Sequence, residues 1–307
     1  MTAPAAVTTV VRPLEHGRSY GSTVTSMNMD HPDPGSVPVR DAATVLLLRD
    51  SDMGLEVCML QRNLNSDFVG GAYVFPGGAV DPEDGSTGSE AVCAGRDDES
   101  ASRLVGVDRG GLAFWVAAVR ESFEEAGVLL AADDSGAVVS FEDPSVAQRF
   151  SMHREAVDSG ARPLSQVCAE EGLLLTVGDM HYFSRWVTPL GAPRRYDTRF
   201  FVAAAPEGQE PLHDDREVIG SRWLTPSVAL ADHESGRMTM IFPTVRTMVA
   251  LTRFDSAREV LDHARAQEKV DAILPMISDE GGGLRLYLPG DPEGTGGVYD
   301  AITGEVL

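Results

Sequence analysis

The stretch Arg120-Glu121-Ser122-Phe123-Glu124-Glu125-Ala126-Gly127 closes a longer run that begins at Leu112. Trp115, Val116, Val119, Phe123 and Ala126 recur at helical spacing, and Gly127 is the residue type that accepts a left-handed stop after a helix. Positions three and four apart share a helix face, so Glu121, Glu124 and Glu125 point to one side while Val116, Val119 and Phe123 point largely to the other. Neighbouring like charges at this spacing cost roughly 0.2–0.5 kcal/mol on an isolated helix, and the negative end of the helix dipole adds to the cost. Something cationic should offset them. Arg120 reaches Glu124 at i, i+4, but one guanidinium does not neutralise three acids. Carboxylates grouped without His or Cys suit Mg²⁺ or Mn²⁺ better than zinc. The competing reading is a solvated acidic helix face, an ordinary feature in a chain with 47 Asp plus Glu.

Upstream, Phe75-Pro76-Gly77-Gly78 is a turn whose glycines let a main-chain carbonyl approach the helix closely, which makes the Gly77 oxygen a further candidate ligand. Before it, Ala42 to Leu48 and Leu55 to Leu60 flank the turn-like "RDSDMG" and predict a hairpin closed by Arg62. A short strand is expected over Ala72 to Phe75, broken by Pro76-Gly77-Gly78. Asp81 to Gly111 is acidic and polar and reads as an inserted loop holding a short helix. Beyond the central helix, Val128-Leu129-Leu130 predicts a strand, and Pro144 to about Gly172 is helical. "HYFSRWVTP" and "YDTRFFVAAA" are strands, and Glu217 leads to a last core strand at Arg222-Trp223-Leu224. Ser227 to Glu268 predicts two or three helices broken by Pro243. The Gly-rich remainder carries short strands such as "LRLYLPG", and the first residues, to about Val39, read as a mobile tail.

Composition narrows the function. The formal charge is −22, which opposes unassisted contact with nucleic-acid phosphates or anionic lipid. Any anionic substrate therefore needs a local cation. Cys58, Cys93 and Cys168 are odd in number, far apart and free of C-x-x-C spacing, as expected of reduced thiols in the cytoplasm. No apolar run approaches the roughly 18 residues of a membrane span. The seven histidines show no two-His metal spacing, and neither a P-loop nor a G-x-S-x-G nucleophile motif is present. Asp214-Asp215 and Glu170-Glu171 read as solvated pairs.

"FPGG" followed by "RESFEEAGV" resembles the Nudix box, G-x5-E-x7-R-E-U-x-E-E-x-G-U, of Nudix hydrolases, with matches at Arg120, Glu121, Glu124, Glu125, Gly127 and Val128. Gly78 lies about 28 residues further from Arg120 than the pattern allows, so the box is interrupted. Asp84 or Glu83 stands where the first box Glu would be sought, and Ser122 replaces the usual aliphatic residue. Such an interruption is similar to that in the branch holding the peroxisomal coenzyme A diphosphatases of animals and their bacterial relatives. "LQRNLNSDFVGGAYVFPGG", "RWVTP", "RRYDTRFFVA" and "PTVRTMVAL" extend the likeness from Asp41 to about Leu251.

The resemblance implies an α/β fold, a Nudix α/β/α sandwich around a mixed sheet with helical insertions and a C-terminal helical extension. The expected organisation is a tail over 1–40 and a hydrolase domain over 41–230 with insertions at about 79–112 and 131–180. A helical extension and Gly-rich tail over 231–307 would pack on the same domain. The implied reaction is hydrolysis of a diphosphate by water, with Mg²⁺ or Mn²⁺ held by Glu121, Glu124, Glu125 and the Gly77 carbonyl and with Arg120 orienting the acids. Glu217, separated from Trp223 by five residues, has the spacing of a further catalytic carboxylate. An exposed acid in the "HDDREV" turn is an equally good reading of it. Arg62, Arg194, Arg195 and Arg199 are candidates for substrate phosphates, each against the alternative of a salt bridge to one of the surplus acids. Tyr73, Phe200 and Phe201 are either adenine-stacking or core aromatics. Coenzyme A or its thioesters is the leading substrate, ahead of ADP-ribose-like or sugar nucleotides and of a binding-only nucleotide sensor. The insertions are expected to border the pocket, and oligomeric state, a homodimer included, is left open.

Overall fold

The computed structural model describes residues 37–65, 69–213, 216–279, 284–289 and 299–300. The tail expected before residue 37 and the Asp214-Asp215 pair lie outside them. Two long strands, β1 (Val39–Ser51) and β2 (Gly54–Arg62), form the expected hairpin, and β1 starts where the tail was expected to end. Side chains alternate along β1, sending Ala43, Val45 and Leu47 to one face and Leu46 and Leu48 to the other. Two separate cores form on these faces, so the sheet is the middle of three layers.

The hairpin strands part after Leu48 and Val57, and the gap decides where the site lies. Strand β3 (Tyr73–Val74) pairs with β2, and β4 (Gly77–Ala79) pairs antiparallel with β1, Ala42 facing Ala79 and Thr44 facing Gly77. The glycine pair expected to end a strand therefore is one. A methyl built on Gly77 would overlap Thr44 and the Ala43 carbonyl, so only glycine can lie this close to β1.

After β4 the chain makes a 3₁₀ turn (Pro82–Gly85) and two short helices, α1 (Thr87–Ala91) and α2 (Asp98–Val105). The central helix α3 (Leu112–Ala126) follows, ending at Gly127 with φ +67°. Trp115, Val119 and Phe123 are wholly buried under the sheet, worth about 1.5–3 kcal/mol for a side chain the size of Phe.

Val128-Leu129-Leu130 is not a strand, because β5 spans Ala131–Asp133. Leu129 instead bonds the buried Gln209 amide, which donates to its carbonyl (3.0 Å) and accepts its N–H (2.8 Å). One side chain thus satisfies the peptide as a neighbouring strand would. Helices α4 (Pro144–Asp158) and α5 (Leu164–Glu171) precede β6 (Leu173–Leu175), the partner of β5. Then come β7 (His181–Val187), β8 (Arg195–Ala204) and β9 (Val218–Leu224).

Strand β8 runs parallel to β1 while β7–β8, β1–β2 and β2–β9 are antiparallel, giving the mixed sheet. Three helices, α6 (Pro226–Glu234), α7 (Phe242–Leu251) and α8 (Ala257–Arg265), bury Ala229, Met248 and Val260 on the face away from α3. Pro243 lies in the first turn of α7 rather than breaking a helix, a position that needs no N–H. Strand β10 (Ala272–Ile273) extends the sheet beside β7, and β11 (Met276–Asp279), β12 (Leu284–Tyr287) and β13 (Tyr299–Asp300) form a small sheet of their own. The architecture is an α/β/α sandwich. No helix among the described residues is long and apolar enough to cross a membrane.

Candidate active site

Arg120 is the hub of the site. Its Nε donates to Asp84 Oδ1 (2.9 Å) and its Nη2 to Asp84 Oδ2 (3.1 Å) and the Ala79 carbonyl (2.9 Å). Its Nη1 donates to Glu121 Oε1 and Glu124 Oε2, each at 2.9 Å. Of the two acids sought there, Asp84 is 3% exposed and paired with Arg120, while Glu83 is exposed and accepts from Ser86. Asp84 also accepts the Asp81 N–H (2.8 Å), so the 3₁₀ turn holds its carboxylate in place. Ser122 is wholly buried, and its hydroxyl donates to the Val128 carbonyl (2.9 Å), which explains how a polar residue occupies an apolar position.

Glu125, 7% exposed, accepts the Gly77 N–H (2.9 Å). It was expected to share a helix face with Glu121 and Glu124, and it is the most enclosed of the three, turned to the glycine strand. A methyl on Gly78 would overlap the Glu121 carboxylate, so the strand leaves room for that acid and no more.

Burial pushes Glu121 up from the usual carboxylate range against the pull of Arg120, with Asp84 and Glu217 adding repulsion. It pushes Glu124 up to about 7, again opposed by Arg120 and aided by Glu121. Glu125 is raised well above the usual range, by burial and then Glu121, against the Gly77 N–H and Arg62. Asp84 is raised by burial despite its bonds to Arg120. Burial is the first cause of all four shifts and repulsion from a neighbouring carboxylate adds to each, which leaves more enclosed negative charge than the Arg120 guanidinium balances.

That imbalance, carried by hard oxygen donors alone, fits a divalent cation. Among the described residues no three Asp, Glu, His or Cys side chains close on a common point. Arg120 Nη1 stands between Glu121 and Glu124, and Glu125 is drawn to an N–H. The expectation of three acids converging with the Gly77 oxygen is corrected to this extent: what Gly77 presents to Glu125 is its amide.

Glu217, exposed at the start of β9, is close enough to raise both Glu121 and Glu125, and its carbonyl accepts the Asn63 N–H (2.8 Å). Arg62, at the end of β2, is close enough to lower Glu125. These two join the acids. Arg194 is exposed in the β7–β8 connection. Arg195 is buried and donates to the Thr188 carbonyl (3.1 Å). Arg199, 2% exposed, pairs with Asp41 (2.8 Å) and Asp197 (3.0 Å) and lies 4.2 Å over the Phe114 ring. Of the aromatic candidates, Phe201 packs on Trp115 (4.4 Å between centroids), Phe200 on Phe75 (6.4 Å), and Tyr73 donates to Gln61 (3.3 Å). Glu170 and Glu171, read as solvated, bind Arg162 and the Arg149–His153 pair respectively.

Sequence reasoning missed Arg154 of α4, which donates from Nε to the Glu124 carbonyl (2.8 Å) and from Nη2 to the Glu125 carbonyl (3.0 Å). No local signal marks it, since the contact spans about thirty residues of chain.

A mixed sheet between helix layers, with an acid-rich helix clasped to a glycine strand by one arginine, defines a Nudix hydrolase. The family model described as the NUDT19 Nudix domain matches residues 96–251, and the chain belongs to that family. The acyl-coenzyme A diphosphatase NUDT19 of Gallus gallus is 29% identical, the match covering 82% of this chain and 79% of the relative. Its Homo sapiens counterpart is 28% identical over 78% and 72%. The crystal structure of a Nudix hydrolase from Alicyclobacillus acidocaldarius is 26% identical with a TM-score of 0.61, covering 74% of this chain and 97% of that one. Nudix hydrolases use divalent metal ions.

Proposed function

We propose that this hydrolase cleaves the diphosphate of coenzyme A or acyl-coenzyme A, giving 3′,5′-ADP and the corresponding phosphopantetheine. The observation that carries the reading is the cluster of Asp84, Glu121, Glu124 and Glu125 around Arg120, an enclosed negative site in a family whose similar members are named acyl-coenzyme A diphosphatases. Glu121, Glu124 and Glu125 would hold Mg²⁺ or Mn²⁺, which supplies neutralisation of the diphosphate and Lewis acidity. Arg120 orients Glu121 and Glu124, and Asp84 fixes Arg120.

In the reaction, water adds to phosphorus, one bridging P–O bond breaks, and the water proton passes to a carboxylate. Glu217 is assigned that role because it is solvent-accessible and adjacent to the acids. Arg62 meets a diphosphate oxygen beside Glu125 and Arg194 offers a second cation, while Arg195 and Arg199 hold the strands that frame the site. Three free thiols support a reducing compartment such as the cytoplasm.

Glu124→Gln should cut kcat by about 10³-fold, some 4 kcal/mol, with folding intact by circular dichroism. Full activity of this variant at saturating Mn²⁺ would refute the role. Mass detection of products from coenzyme A, an acyl-coenzyme A, ADP-ribose and sugar nucleotides tests the substrate: 3′,5′-ADP is expected, and cleavage of ADP-ribose alone would overturn the assignment.

A further inference from the structure

A helix leaves its last four carbonyls without intrahelical partners, and at α3 those carbonyls lie among the acidic side chains. Each has a donor. Phe123 O accepts from Gly127 N (3.0 Å), Glu124 O and Glu125 O from the two nitrogens of Arg154, and Ala126 O from Leu212 N (2.8 Å). Two of the four thus depend on one side chain from the insertion helix α4. Arg154 also closes on Gly127, where a methyl would come within 3.1 Å of its Nη1.

One turn further along α4, Asp158 pairs with Arg216, the residue before Glu217, and Asp158 is close enough to raise Glu124. Asn63 bonds the carbonyls of both Arg216 and Glu217. A single face of α4 therefore touches both halves of the site.

We infer that Arg154 is a positioning residue: by holding the Glu124 and Glu125 carbonyls it fixes where those side chains leave the helix, and so sets the affinity of the site for a divalent ion. The inference rests on the metal-binding reading above. The two physical effects of the guanidinium have opposite signs. As a nearby positive charge it opposes cation binding, and removing the charge alone would tighten the site. As a clasp on two carbonyls it favours binding, because ligands presented by a frayed helix end must be ordered when the ion arrives.

The test is Mn²⁺ titration of the full chain by electron paramagnetic resonance of the free ion, comparing wild type, Arg154→Met and Arg154→Lys. Arg154→Met should bind Mn²⁺ about tenfold or more weakly, with faster amide exchange at Gly127 and Val128, and Arg154→Lys should recover part of the affinity. Affinity equal to or tighter than wild type in Arg154→Met overturns the inference. If Arg154→Met does not fold, Arg154→Lys decides, since it keeps the charge but not the two-pronged geometry: wild-type affinity there refutes the clasp, and weakened affinity upholds it. A wild-type chain that takes up no Mn²⁺ refutes the metal reading itself, and this inference with it, which separates that failure from a failure of the clasp alone.

Discussion

Two arginines on the α3 side of the sheet, Arg199 of β8 and Arg120 of α3 itself, serve different ends. Near the N-terminal end, Arg199 and Arg185 face Asp41 and Asp197, two cations against two acids, with Arg185 gripping Asp197 through two nitrogens (2.9 and 2.7 Å) and Phe114 stacked on Arg199. Toward the C-terminal end, Arg120 faces Asp84, Glu121 and Glu124, with Glu125 close by. Both arginines are enclosed and hydrogen-bonded, so neither burial nor the number of ion pairs distinguishes a lock from a site. Net charge does. The balanced cluster fastens β7, β8 and β1, whereas the unbalanced one holds enclosed carboxylates shifted upward, as the proposed cation site requires.

The sharpest way to break this contrast is to remove the balanced arginine. Arg199→Met leaves Asp197 in a poorly solvated position while Asp41 stays largely in water, so a loss of about 2–3 kcal/mol in unfolding free energy is expected by denaturant titration. Mn²⁺ affinity should stay within about twofold of wild type. A large fall in affinity with unchanged stability would reverse the assignment.

A smaller effect is expected at the other cluster from Gly78→Ala. Its methyl would displace the Glu121 carboxylate, the far end of a flexible side chain, so activity should fall about 10–100-fold while the melting temperature changes little. A stability loss with activity retained would show that the strand, rather than the acid, needs the glycine.

The smallest effect is in pH. Glu124, raised to about 7 in the folded chain, holds its proton more tightly there than when unfolded, so in chelator its contribution favours folding as pH falls from about 7.5 towards 5. That contribution is absent above the folded value and complete below the unfolded one. The pH slope of the melting temperature should therefore be shallower in Glu124→Gln and in wild type with saturating Mn²⁺. Identical slopes in all three would show that Glu124 carries no excess charge.

Local chemistry made much of this visible in the sequence. The 3.6-residue period and Gly127 delimited α3, and alternation with branched residues marked β1, β2, β7 and β8. What escaped was whatever distant neighbours decide. Gly77-Gly78 has no strand propensity and becomes β4 only because β1 lies open where the hairpin parts. Val128 to Leu130 looks like a strand, but Gln209 takes the place of the ladder. The three glutamates were legible as a charge problem, yet which acids meet Arg120, and that Glu125 turns inward to the Gly77 amide, depended on the approach of β4. The four arginines looked alike as residue types and were separated only by the carboxylates and carbonyls around them.

Between β4 and Gly111 the chain makes an excursion that buries Val92, Ala101 and Val105 in the core beside α3, and Arg120 grips its outgoing leg at the Ala79 oxygen and at Asp84. The detour is thus stitched shut across its mouth by a contact that does not count how many residues lie beyond the seam. Lineages could lengthen the exposed turn from Gly106 to Arg109 without disturbing the chemistry at the base, which makes this turn a natural graft point where new specificity can be trialled on an unchanged engine.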